Sequence, residues 1–274
     1  MKKYIYIFIL LGFILQGCDN KSDSSHTTQQ DKKEIVVGLP PSMHNIMMEK
    51  VVKPALEKQG YKVRLVNFSS LRDSNTALVE GSIDLNAAQH QSYLDVYNKE
   101  TKSDLVSLVH IPSISAALFS QKHHSINEIA DGQTILIPND PANQARSLQL
   151  LQSLHWITLK SGSNVGILDL NAIDENKYNL KFKAILSEMM PRILNEVDYA
   201  IMPGGIAWLS HIPADNVLVQ EKLTANLELM VVVKKENLNT KWAQDVKQLY
   251  QSDALKKFIN QDPDAKGRFI WPQQ

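Results

Sequence analysis

Four polar side chains stand at spacings that could hold a small molecule. Asn143 and Arg146 lie three apart in residues 136–152, LIPNDPANQARSLQLLQ. On a helix that spacing puts both on one face, with Leu148, Leu151 and Leu154 marking the buried side. Asp140 suits the N-cap and Pro141 the first helical position, so unpaired backbone N–H groups would stand close to the guanidinium. Arg146 could fork bidentately onto a ligand carboxylate. It could equally pair with an acidic side chain of the chain itself, and spacing alone leans to that pairing. His90 and Tyr93, in NAAQHQSYLD, are also three apart. Each has an apolar body and a polar tip, which suits a pocket wall as well as a packed core. Gly204 and Gly205, in IMPGGIAW, let backbone approach a ligand closely or simply form a strand-to-helix turn.

Other chemistries lack residues. The eight histidines include His123-His124 but no ligand-spaced cluster, so no metal is expected. SGSNVG around Ser163 is not a nucleophile elbow, no dinucleotide or phosphate-loop fingerprint occurs, and no cofactor is called for. The chain therefore reads as a binder rather than an enzyme. Lys plus Arg equals Asp plus Glu at 29 each, which offers no excess of positive charge for nucleic acid.

The elements that must position these residues alternate. Residues 35–39, IVVGL, read as a strand buried on both faces. Ser42 is a plausible N-cap for a helix running towards Gly60, with a kink or stop at Pro54. Strands are expected at 63–68, 83–85 and 105–111, with helices at 75–80, ended by Gly81, and at 90–99. A second series starts near Ile126, with strands at 134–137, 180–186, 197–202 and 227–234. Two helices finish the chain, the last capped by Ser252-Asp253. This order argues for parallel βαβ units in two α/β lobes. Ligands of open α/β sheets bind beyond the carboxyl ends of strands, where residues 87–93, 139–146 and 203–207 fall.

With 274 residues, 43% hydrophobic and 21% charged, the chain is long enough for one large or two medium domains. Its first residues, MKKYIYIFILLGFILQGC, have a basic start and an apolar run too short to span a bilayer comfortably. Gly17 stands directly before Cys18, the only cysteine, as in a bacterial lipobox. The expectation is a signal peptide over 1–17, lipidation (palmitate) at Cys18 and a flexible polar tether over 18–33. Loss of Lys2 and Lys3 with the leader would leave a slightly acidic mature chain. This places the body in the cell envelope, tied to a membrane by lipid.

From about residue 35 onward the chain resembles the NlpA/MetQ-type methionine-binding lipoproteins, substrate-binding components of bacterial methionine ABC importers. The resemblance runs through NTALVEGSIDLNAAQHQSYLD (75–95), IPNDPANQARSLQLLQ (137–152), the LKFK strand and QSDALKKFI (251–259). It implies a bilobal periplasmic-binding-protein fold, type II-like, with two α/β lobes joined by two crossover strands near 112–119 and 227–232. Lobe 1 would comprise 34–112 and 230–274, and lobe 2 would comprise 113–229. It also implies that His90, Tyr93 and Arg146 line the ligand, with Arg146 receiving its carboxylate, and that Asn143 matches a recurrent, structural asparagine. The implied partners are a small ligand, methionine or a related amino acid or short peptide, and an ABC permease and ATPase complex. The protein would act as a monomer at the periplasmic face of the inner membrane, to which Asp19, directly after Cys18, also points.

Several positions depart from the family pattern. Ala87-Ala88 stand where two phenylalanines are usual, Leu71 where a tyrosine is, and Pro203, Gly205 and Leu229 where asparagines are. These changes remove aromatic walls and amide partners, so a bulkier ligand or a short peptide fits the pattern better than free methionine. Two alternatives stay open: a receptor for a different small acid, and a structural or interaction lipoprotein that kept the fold and lost its ligand.

Overall fold

The computed structural model describes residues 32–162, 168–263 and 265–272. The expected signal peptide, Cys18, Asp19, the tether up to residue 31 and Ser163 lie outside the described residues.

The strands in chain order are β1 (Glu34–Leu39), β2 (Lys62–Asn67), β3 (Leu85–His90), β4 (Leu105–His110), β5 (Ala117–Phe119), β6 (Thr134–Pro138), β7 (Ile157–Leu159), β8 (Ile173–Asn176), β9 (Lys181–Ile185), β10 (Tyr199–Met202), β11 (Val217–Gln220) and β12 (Leu229–Lys234). The α-helices are α1 (His44–Met47), α2 (Lys53–Lys58), α3 (Leu71–Glu80), α4 (Gln91–Thr101), α5 (Pro141–Ser153), α6 (Gly204–Leu209), α7 (Lys241–Tyr250) and α8 (Asp253–Gln261). One five-stranded sheet has the order β2-β1-β3-β12-β4, a second has β11-β5-β10-β6-β9, and β7-β8 form a small ribbon.

Both large sheets are buried on two faces, as the apolar run of β1 requires. Ile35, Val37, Val231 and Val233 join Trp242, Val246 and Leu255 on one side of the first sheet. Val36, Met230 and Val232 point the other way, against Leu78 and Leu94. In the second sheet Ile135 and Ile137 pack on Leu148, Leu151 and Trp156, while Leu136 faces Met190 and Leu194. The two-residue period of a strand produces this division.

The sheets are not wholly parallel. β1 runs parallel to β2 and β3, but β12 enters between β3 and β4 antiparallel to both. β10 and β6 are parallel, whereas β5 is antiparallel to β10 and β11. Each sheet accepts a strand that arrives after the chain has visited the other, so neither is a pure βαβ series.

Several element boundaries differ from the pattern-based reading, three of them with consequences for the site or the helices beside it. The third strand runs Leu85–His90 rather than 83–85, which makes His90 the N-cap of α4 instead of a residue within it. Helix α3 begins at Leu71, because the Ser70 hydroxyl accepts from the Asp73 N–H, and ends at left-handed Gly81. Pro54 neither stops nor breaks the first helix. A π-helical stretch, Met48–Val52, leads into it, so its missing N–H falls in the first turn of α2.

Candidate functional site

Helix α5 starts as the sequence suggests. The Asp140 carboxylate accepts from the Asn143 N–H at 2.8 Å, and Pro141 follows at N1. Asn143 also donates from Nδ2 to Asp140 at 3.1 and 3.2 Å, leaving its Oδ1 free to face outward.

That oxygen meets His90. The His90 Nδ1 accepts from the Tyr93 N–H at 3.2 Å, so Nε2 carries the proton and donates to Asn143 Oδ1 at 3.1 Å. This bond links the carboxyl end of β3, in the first sheet, with α5 beside the second. Burial, and after it the Arg146 charge, lowers the His90 pKa to about 3, so the ring is neutral at physiological pH. Tyr93 packs edge-on to it, ring centroids 6.4 Å apart, and burial raises its phenol above the ordinary value.

The Arg146 guanidinium has its anion already. Nε donates to Glu221 Oε2 at 2.6 Å and Nη2 to Glu221 Oε1, with the two side chains only 7% and 9% exposed. Nη1 reaches Asn143 Oδ1 at 3.4 Å. Glu221 follows β11 and is fixed by Ala116: the Ala116 N–H donates to its Oε1 at 2.8 Å, and its own N–H donates to the Ala116 carbonyl at 3.0 Å. Of the two expectations for Arg146, pairing within the chain is the one the geometry displays, although the arginine is buried rather than at the surface. Nothing near residue 146 in the sequence signals Glu221, 75 positions away.

These groups line one side of a cavity of about 640 Å³ between the two sheets. His90, Tyr93, Asn143, Arg146 and Gly205 all reach it, and Gly204 does not. A Cβ on Gly204 would stand 2.2 Å from the Ser115 carbonyl oxygen, so this glycine serves close backbone packing. A Cβ on Gly205 would meet the Met43 methyl at 2.5 Å. Of the departures from the family pattern, Leu71, Ala88, Pro203, Gly205 and Leu229 line the cavity. Ala87 is corrected: alternation along β3 turns it into the core of the first sheet, among Val37 and Val231.

Sequence reasoning missed several contributors. Ser42 lines the wall and donates to the Ala87 carbonyl at 3.0 Å, and Met43 and Met189 add soft apolar surface. Gln89 is held by a buried amide network with Asn75 and Asn86, at 2.7 to 3.0 Å. Glu188 and Asp140 also line the cavity. Burial raises the pKa of both carboxyls, and for Glu188 the charges of Asp140 and Asp73 add to the effect. Among the described residues no cluster of three or more His, Cys, Asp or Glu side chains could hold a metal ion.

Two α/β lobes with a wall of polar and apolar groups from each around one cavity define a bilobal solute-binding architecture. The NlpA lipoprotein family model matches residues 35–271, and the chain belongs to that family. The family is one of substrate-binding lipoproteins, not enzymes. The D-methionine-binding lipoprotein MetQ of Escherichia coli (strain K12) is 33% identical over 265 residues, 94% of this chain and 94% of that one. A nutrient binding protein from Burkholderia cenocepacia, solved bound to methionine, superposes with a TM-score of 0.81 at 29% identity, over 86% of this chain and 99% of that one. The methionine binding protein MetQ gives 0.80 at 30%, over 89% and 100%.

Proposed function

We propose that the protein is the lipid-anchored solute receptor of an ABC importer, binding methionine or a related amino acid or short peptide in the inter-sheet cavity. The observation that carries the reading is the cavity itself. Its volume lies within the range of about 300–1,000 Å³ usual for small-ligand sites, and its wall mixes thioether and aliphatic surface with a few placed polar groups. The names of its relatives support methionine as the parent ligand. His90, Tyr93, Asn143, Arg146 and Gly205 form the contact wall in this reading, and Gly204 acts through packing. Lobe 1 is taken as residues 34–112 and 230–274 and lobe 2 as 113–229, with the chain crossing between β4 and β5 and again between β11 and β12. The receptor works as a monomer at the periplasmic face of the inner membrane, anchored through Cys18, and hands its ligand to a permease.

A thermal-shift titration tests this on the full chain in detergent, freed of copurified ligand by unfolding and refolding. The panel holds L-methionine, D-methionine and methionyl dipeptides. A ligand at 100 times its Kd stabilises by about 2.7 kcal/mol, or roughly 2–4 °C for a chain of this size. No shift with any of them would move the reading to the ligand-free lipoprotein.

A further inference from the structure

Resting on that reading, we infer that Glu221 is a positioning residue of the binding site. It holds the Arg146 guanidinium from behind and keeps the Nη1 edge turned to the cavity for a ligand acid. Glu221 does not itself line the cavity, so its part is played through the arginine.

A guanidinium carries five N–H donors in one rigid plane. In Arg146 the Nε donor goes to Glu221 Oε2 at 2.6 Å and one Nη2 donor to Oε1, while Nη1 reaches Asn143 Oδ1 at 3.4 Å. One N–H on Nη1 and one on Nη2 then have no acceptor among the described residues. Arg146 lines the cavity whereas Glu221 and Ala116 do not, so the guanidinium stands between its counter-ion and the cavity. The edge turned away from Glu221 is therefore the edge a ligand meets. The other arginine of the wall, Arg72, is more than half exposed and pairs with Glu100, so Arg146 is the buried cation of the wall.

Glu221 is itself fixed to the scaffold. β11 pairs with β5 as far as Gln220 and Ala117, and the next residues add one more rung. In it the Glu221 N–H donates to the Ala116 carbonyl at 3.0 Å, and the Ala116 N–H donates to Glu221 Oε1 at 2.8 Å. Helix α5, which carries Arg146, packs on the same sheet through Ala145 and Leu148. The direction of the guanidinium is thus set by one sheet and its helix before any ligand arrives.

Charge and position pull in opposite senses here. Glu221 offsets the charge of the arginine, and by Coulomb attraction alone that weakens its hold on an acid. Position works the other way, because the rotamer freedom of a long side chain is given up on folding instead of on binding. Glu221→Gln separates the two. Its amide offers one acceptor oxygen where three N–H groups converge, those of Arg146 Nε, Arg146 Nη2 and Ala116, and its own NH2 would face donors. The guanidinium must then turn while the site becomes more positive.

The test uses the refolded full chain in detergent, with L-methionine as the probe and calorimetric titration as the readout. Glu221→Gln is expected to bind it about tenfold or more weakly than the parent, the equivalent of one charge-assisted hydrogen bond. Glu221→Asp keeps the charge but stops one methylene short, and should bind severalfold more weakly. It carries the comparison if the Gln variant does not fold. A magnetic-resonance reading separates positioning from a general loosening. In the isotope-labelled parent the Arg146 Nε–H signal, identified by its loss in Arg146→Lys, should be protected from exchange before methionine is added. That protection should vanish in the folded Glu221 variants. Methionine binding as tight as the parent's or tighter in both variants, or an Nε–H that exchanges freely in the ligand-free parent, would overturn the inference and leave the receptor reading standing. A parent that binds neither methionine nor methionyl dipeptides would overturn both.

Discussion

Mild acid should destabilise this fold through two buried imidazoles, and the share of His90 can be isolated. Burial, with the Arg146 charge next, holds His90 at about 3 against an ordinary 6.5, and burial holds His44 at about 4. Both are depressed, so each ring is neutral in the folded chain while the unfolded chain takes up its proton near 6.5. Their contribution is whole above that pH and is lost as pH falls from 6.5 towards the folded values. One unit corresponds to about 1.36 kcal/mol, so at pH 5 each ring costs about 2 kcal/mol, or about 4 kcal/mol together. That is a large part of a total stability of about 5–15 kcal/mol. Asp140 and Glu188, with raised pKa values, act in the opposite sense, since their folded forms hold protons more tightly. Comparison with His90→Asn removes their effect, because asparagine keeps an acceptor at the α4 N-cap. Urea unfolding at pH 7 and pH 5 should show the variant losing about 2 kcal/mol less than the parent. Parallel losses would mean that His90 is already charged when folded, and the reasoning from burial would fall.

The buried pair and the two glycines give further outcomes. Arg146→Met should cost about 3–5 kcal/mol in denaturant unfolding, because it strands the Glu221 charge, and the double change Arg146→Met with Glu221→Met should recover most of that loss. A double variant as unstable as the single one would show that the ion pair is not the cause. Gly204→Ala should destabilise by about 1–3 kcal/mol, its Cβ meeting the backbone oxygen of Ser115. Gly205→Ala should cost less, since the Met43 methyl it meets ends a flexible side chain, and the opposite order of unfolding midpoints would contradict the packing argument.

What was legible in the sequence was what local physics writes. The apolar run of β1 announces a strand covered on both sides, and Asp140-Pro141 announces the start of α5, because capping and periodicity act within a few residues. Partners distant in sequence leave no such trace. The antiparallel entry of β12 between β3 and β4 depends on where the chain returns from, which periodicity does not record. The offset of β3 has the same origin: pairing with β12 extends it to His90, and this moves the histidine from a helical face to a cap. Ala87 and Ala88 look equivalent as neighbours, yet the pleat sends one to the core and one to the cavity, and a strand read as ending at 85 could not separate them. The acidic wall was missed because Asp140 had a sufficient local role as a cap and Glu188 stood in no motif.

Arg146 joins these observations into one consequence. From His90 through Asn143 to Arg146, then through Glu221 to Ala116, hydrogen bonds run unbroken from the first sheet along the cavity wall to a point where two segments passing between the sheets meet. Groups in such a line do not act additively, since each holds its neighbour in place. A ligand that pulled the guanidinium off Glu221 would disturb the bond at Ala116 as well, and its binding free energy would be reduced by that loss. A ligand acid that meets Arg146 at the Nη1 edge Glu221 leaves open keeps the line intact, which is why the arginine is better understood as part of a braced wall than as a free cation.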